Sequence, residues 1–106
     1  MPNSKPTLYK ETSEKFPEVF SAVEQLGSTL RTAGPLDEKM SHLVQLAAAA
    51  ASQSEGAVHS HVRRALQAGA NADEITHTLL LLMTTIGFPQ AMAALSWANE
   101  TLNKSR

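Results

Sequence analysis

The chain of 106 residues contains no cysteine. Disulfides, thiolate nucleophiles and thiolate metal ligands are therefore excluded. Aromatic residues are scarce: three phenylalanines, one tyrosine and one tryptophan. Any core must be aliphatic and rich in alanine. Neither sign of charge dominates, with nine Lys and Arg against ten Asp and Glu, a formal net charge of −1 and a pI of about 6.4. Without a basic run, nucleic acid is not an expected partner. No apolar run approaches the roughly 18 residues that suggest a membrane span. The opening MPNSKPTLYKE is polar and carries two prolines, unlike a secretory signal. A soluble, cytoplasmic protein is expected, with no membrane partner. Strand-like alternation and internal repeats are also missing.

What is present is helical periodicity. Residues 1–13 are polar, low in apolar content and expected as a flexible arm, leaving residues 14–106 as one helical domain. Pro17 suits the first turn of a helix, where its missing N–H costs nothing. Phe16, Val19, Phe20, Val23, Leu26 and Leu30 then recur at three- and four-residue spacing. Gly34-Pro35 stops that helix. A second begins near Asp37 and carries Met40, Leu43, Val44 and Leu46 into five alanines, Ala47 to Ala51. Ser54 is placed to cap a third, and Gly69 to end it. Asn71, with Glu74 three residues on, resembles a capping box for a fourth. This fourth helix is expected to run through Ile75, Leu79 to Leu82 and Met83 to Ile86. Being apolar nearly all round, it should be central or buried between subunits. Gly87 breaks it, and Pro89 starts a fifth with Met92, Leu95, Trp97 and Leu102. The expected class is all-α: a single-domain antiparallel bundle of about five helices.

The segment SEGAVHSHVRRAL, residues 54–66, gathers most of the chemistry. On a helix, Val58, Val62, Ala65 and Leu66 form one apolar stripe. His59 and His61 fall on opposite flanks, because residues two apart do not face each other. His61 shares its flank with Ser54 and Ala57, and His59 shares the other with Glu55 and Arg63. Two metal ligands from one helix normally stand at i and i+4. Glu55 and His59 do so, but one pair is thin support, and no metal is expected. His59 then reads as a solvated residue paired with Glu55, and His61 as a flank histidine satisfied by a backbone carbonyl. On the second helix His42 shares a stripe with Leu46, Ala49 and Gln53. A structural and a functional role are equally open for it. His77, Met92 and Trp97 read as structural, filling core or interface.

The order of segments resembles the carboxymuconolactone decarboxylase family, which includes the alkylhydroperoxidase D-like proteins. LDEKMSHLVQLAAAAA (36–51), HVRRALQAGANADEITHTLLLLMTTIGFP (61–89) and ALSWANETL (94–102) carry the resemblance, which covers about residues 14 to 103. It implies an alkylhydroperoxidase D-like bundle that assembles into trimers or hexamers. The peroxidase-like branch places a Cys-x-x-Cys pair before a histidine, with a glutamate on the preceding helix. Matching His61 to that histidine puts Ser54 and Ala57 at the cysteine positions and His42 at the glutamate position. One of four functional residues remains. The true decarboxylases also lack the cysteines but usually carry a glutamate close before the histidine. Here Glu55 is the nearest candidate, and it lies on the other flank.

These departures have chemical weight. Serine cannot replace a thiolate nucleophile or form a disulfide, so a thiol peroxidase is excluded. Decarboxylation of a lactone acid asks less: dipoles or a cation to hold a carboxylate, and an acid to protonate the developing carbanion. The resemblance therefore implies a cofactor-free enzyme acting on a small organic acid or lactone. His61 and His42 are the expected catalytic pair, and Ser54, Arg63 and His59 the expected substrate contacts. The alternative is a non-catalytic oligomeric module that keeps the fold and binds a small molecule or a protein.

Overall fold

The computed structural model describes residues 7–105. They form six α-helices and one 3-10 turn, with no strand among them. The described residues fall into two compact units, residues 7–35 and residues 36–105, where the sequence suggested an arm to residue 13 and one domain from residue 14.

The first unit is a pair of helices, α1 (Thr7–Lys15) and α2 (Pro17–Thr32). Part of the expected arm is thus helical, while residues 1–6 lie outside the described residues. The sequence hides α1 because TLYKETSEK has no apolar stripe. The helix is held by contact with α2: the Tyr9 and Phe20 rings meet edge to face at 5.3 Å. The Tyr9 hydroxyl donates to Glu24 Oε2 at 3.2 Å. Pro17 separates the two helices, since a residue before proline avoids the α conformation, and Phe16 adopts φ −130° and ψ 62°. The apolar stripe of α2, including Val19, Val23, Leu26 and Leu30, is exposed.

The second unit contains α3 (Glu38–Ala51), α4 (Glu55–Gln67), α5 (Ala72–Leu80), a 3-10 turn (Leu81–Thr84) and α6 (Phe88–Lys104). Asp37 starts α3, its carboxylate accepting from Met40 N at 2.8 Å. Two helices close alike. The Ser54 N–H reaches Ala49 O at 3.0 Å and Gln53 N reaches Ala50 O at 3.0 Å. Ala70 N reaches Ala65 O at 2.9 Å and Gly69 N reaches Leu66 O at 3.1 Å. Both are Schellman closures, which need a left-handed residue. Gly69 takes it at φ 104° and Gln53 at φ 57°. The expected capping box is present, with Glu74 N donating to Asn71 Oδ1 at 2.8 Å and Asn71 N to Glu74 Oε1 at 3.0 Å.

The core is aliphatic and alanine-rich. Leu46, Val58, Val62, Ile75 and Leu79 are fully buried, alongside Ala65, Ala91, Ala94 and Ala98. Trp97 packs against this core, whereas Met92 is exposed. The fourth expected helix is shorter than its periodicity suggested. It stops at Leu80 and tightens into the 3-10 turn. The β-branched run Thr84-Thr85-Ile86 before Gly87 is a poor helix former. The continuous apolar surround is lost with it, and Leu81 is 61% exposed.

An ion pair ties α3 to α5: Lys39 Nζ donates to Glu74 Oε2 at 2.9 Å. That bond, followed by the Asn71 backbone N–H, holds the Glu74 carboxyl below the ordinary carboxylate range. The same pairing raises Lys39. A carboxyl lowered in the folded state stabilises the fold above its unfolded value, and this is lost as the pH falls through the folded one. The urea midpoint should therefore drop between about pH 5 and pH 3. Glu74→Gln should shrink that drop, which parallel denaturation curves at the two pH values measure.

Candidate functional site

The three-residue connection Ser52–Ser54 lays α4 against α3. Small residues line the approach: Ala49 and Ala50 are buried on α3, and Ala57 on α4 packs on the core. Two histidines 19 positions apart in sequence meet there. His42 Nδ1 lies 3.5 Å from His61 Nδ1, with ring centroids 5.7 Å apart and planes inclined by 40°. His42 is 2% exposed, and His61 is half-buried. On the far side of the buried ring, His42 Nε2 stands 3.9 Å from Glu38 Oε2, one turn back along α3. Glu38 is exposed. The result is a carboxylate, a buried imidazole and a half-buried imidazole in sequence. Two Nδ1 atoms facing each other require complementary states, one carrying its proton and the other offering its lone pair. That arrangement can pass a proton from one ring to the next.

The remaining expected site residues are placed differently. Ser54 occupies the N-cap position of α4 in extended backbone, but its side chain makes no capping hydrogen bond. It is exposed. His59 does not join the pair. Its ring turns to α6, where Nδ1 hydrogen-bonds with Thr101 Oγ1. Its Nε2 lies 3.3 Å from Glu55 Oε2 and 3.7 Å from Glu100 Oε1. The cause is the i, i+2 spacing, which puts His59 and His61 on opposite sides of the α4 stripe. Arg63, half-buried, shares His59's flank at i+4 and makes no ion pair among the described residues. His77, expected to be structural within an apolar helix, is exposed. It borders a groove of about 410 Å³ walled by Met40, Val44 and Leu81. Glu38 escaped notice in the sequence, although its i, i+4 spacing from His42 was a usable signal. Thr101 and Glu100 offered none, being about 40 positions away from His59 (|i−j| = 42 for Thr101).

Comparison with known proteins places these features in context. The model of the Carboxymuconolactone decarboxylase family matches residues 17–100. The uncharacterized protein MJ1511 of Methanocaldococcus jannaschii is 32% identical over 78 residues, covering 74% of this chain and 73% of that one. Among solved structures, apo-lpg0406, a carboxymuconolactone decarboxylase family protein from Legionella pneumophila, superposes with a TM-score of 0.78 at 26% identity. That match covers 92% of this chain and 87% of the other.

Interacting imidazoles release their protons as a pair and not independently. The ring resonances of His42 and His61 should therefore titrate together, with biphasic curves. His61→Ala should leave His42 with a single-step curve. Two simple, unlinked curves in the unsubstituted protein would contradict the observed contact. Nitrogen-detected NMR of the rings across a pH series makes the measurement.

Proposed function

The chain belongs to the carboxymuconolactone decarboxylase family, and on that premise we propose that it works by histidine acid/base chemistry on a small organic acid or lactone, without a cofactor. The observation that carries this proposal is the 3.5 Å contact between His42 and His61. His61, the more accessible ring, exchanges the proton with the ligand. His42 passes charge to or from it, and Glu38 sits at the other end of the buried ring. The uncapped start of α4 at Ser54 is the neighbouring anion-favouring element, because a helix N-terminus presents free N–H groups and a positive dipole end. In a decarboxylation the substrate loses carbon dioxide, and the electron pair left behind takes one proton from protonated His61. The proton stays on the product, and half-buried His61 takes a replacement from water while its Nδ1 remains held toward His42. Arg63 and His59 hold no role in this scheme because they lie on the opposite flank. Thiol-dependent hydroperoxide reduction is not part of it, since the chain has no cysteine.

Acetate and malonate titrated into the labelled protein test the site. We expect both to move the ring signals of His61 and His42 and to leave His77 unmoved. His61→Ala should abolish the response, and once a substrate is in hand it should slow turnover by about 10²–10⁴-fold. If neither carboxylate moves either ring, the non-catalytic module becomes the better account.

Assembly belongs to the same proposal. In the first unit the apolar stripe of α2 is exposed, and in the second Leu80, Leu81, Phe88 and Met92 are exposed; large exposed apolar side chains in such number mark interaction surface. We propose that the chain forms a trimer or hexamer. Light scattering at micromolar concentration should give three or six times the 11.4 kDa chain mass. A stable monomer would contradict it.

A further inference from the structure

The second histidine of the HSH segment sits in the pair described above; the first sits in a separate cluster that the proposed chemistry does not use. Glu55 and His59 on α4 and Glu100 on α6 each offer one ligand atom, and those three atoms lie within 4.8 Å of one another. The sequence shows only the Glu55–His59 pair at i, i+4, which is why no metal was expected. The fold supplies the third ligand from a helix more than 40 positions away (|i−j| = 42 between His59 and neighbouring Thr101).

Three features of the cluster suit a divalent metal. The first is spacing. Four ligands held tetrahedrally at about 2.1 Å from zinc stand about 3.4 Å from one another. His59 Nε2 lies 3.3 Å from Glu55 Oε2 and 3.7 Å from Glu100 Oε1, and both carboxylates are on exposed, adjustable side chains. The second is orientation. His59 Nδ1 is engaged by Thr101 Oγ1, and Thr101 is 5% exposed. Metal-binding histidines are held in this way through their second nitrogen. With the proton on Nδ1, the Nε2 lone pair faces the two carboxylates. The third is charge. His59 Nε2 stands between two carboxylates from different helices, within hydrogen-bond distance of Glu55 Oε2, and those like charges repel unless a cation, a protonated ring or a metal ion, stands among them.

We propose that Glu55, His59 and Glu100 form a binding site for a divalent metal ion of the zinc class, linking α4 to α6. One imidazole and two carboxylates are a ligand set that zinc accepts. Three protein ligands leave a fourth position open to water or a small anion. The site is separate from the His42–His61 pair and stands or falls without it.

The test uses the full chain, stripped with a chelator, and zinc chloride alone. Calorimetry should show one equivalent bound. Long-range nitrogen–proton NMR of the histidine rings should show His59 Nε2 shifting as a metal-bound nitrogen while Nδ1 keeps its proton. Glu100→Gln, an exposed change that leaves the fold intact by its melting curve, should weaken binding more than about tenfold. His59→Ala should remove it, and His61→Ala should leave it within about twofold, since no ligand is lost. The proposal is overturned if zinc does not bind. It is equally overturned if zinc shifts His42, His61 or His77 in place of His59, or if Glu100→Gln binds as tightly as the unsubstituted protein.

Discussion

An imidazole buried to 2% exposure imposes a condition on everything packed around it: its ring nitrogens need partners where water is excluded. His42 finds them in His61 across the α3–α4 contact and in Glu38 one turn along its own helix. His61 is not reached unless α4 lies close against α3. That closeness rests on the alanines of α3 and on the connection at Ser52–Ser54, closed by Gln53 in the left-handed region. A non-glycine residue in that conformation costs roughly 1–2 kcal/mol. Bulkier side chains at Ala49 or Ala50, or a longer connection, would separate the rings and leave the buried one unsatisfied. The chemistry proposed for the pair thus depends on a packing constraint among small residues.

The two flanks of α4 present two kinds of polar cluster. The flank toward α3 pairs imidazole with imidazole, an arrangement suited to moving protons. The flank toward α6 sets an imidazole between two carboxylates, an arrangement suited to holding a cation. Between them runs the apolar stripe of Val58, Val62 and Ala65, buried in the core. Because this stripe anchors the helix against rotation, each histidine is committed to its own side. A one-residue shift in the register of α4 turns it by about 100° and would carry one of the two histidines into the buried stripe.

Much of this was legible in the sequence, but unevenly. The stripe of α4, the capping box at Asn71 and Glu74, the left-handed stop at Gly69 and the alanine-rich core follow from local rules that act within one or two turns. The helix α1 was not legible, because its stability comes from Tyr9 meeting Phe20 on α2 and not from its own pattern. The end of α5 was misplaced for a related reason. Apolar periodicity continues through Leu81 to Ile86, yet the α-helix ends at Leu80, inside a leucine run whose own propensity favours a helix. The placement of His59 and His61 on opposite flanks was readable from spacing alone, yet which flank faced which helix was not.

The sequence by itself determined the class of structure, the absence of thiol chemistry and the separation of the two histidines, since residue identity and helical geometry are local properties of the chain. The meeting of His42 with His61 was expected from the family resemblance and from no local pattern, and it is the tertiary structure that brings the two rings together. It also decided that Glu100 and Thr101 would complete the surroundings of His59. Those groups are brought together by the burial of Leu46, Val58, Val62, Ile75 and Leu79, a cooperative packing whose outcome depends on all the helices at once, so that contacts 19 and 42 positions apart leave no trace in any local pattern.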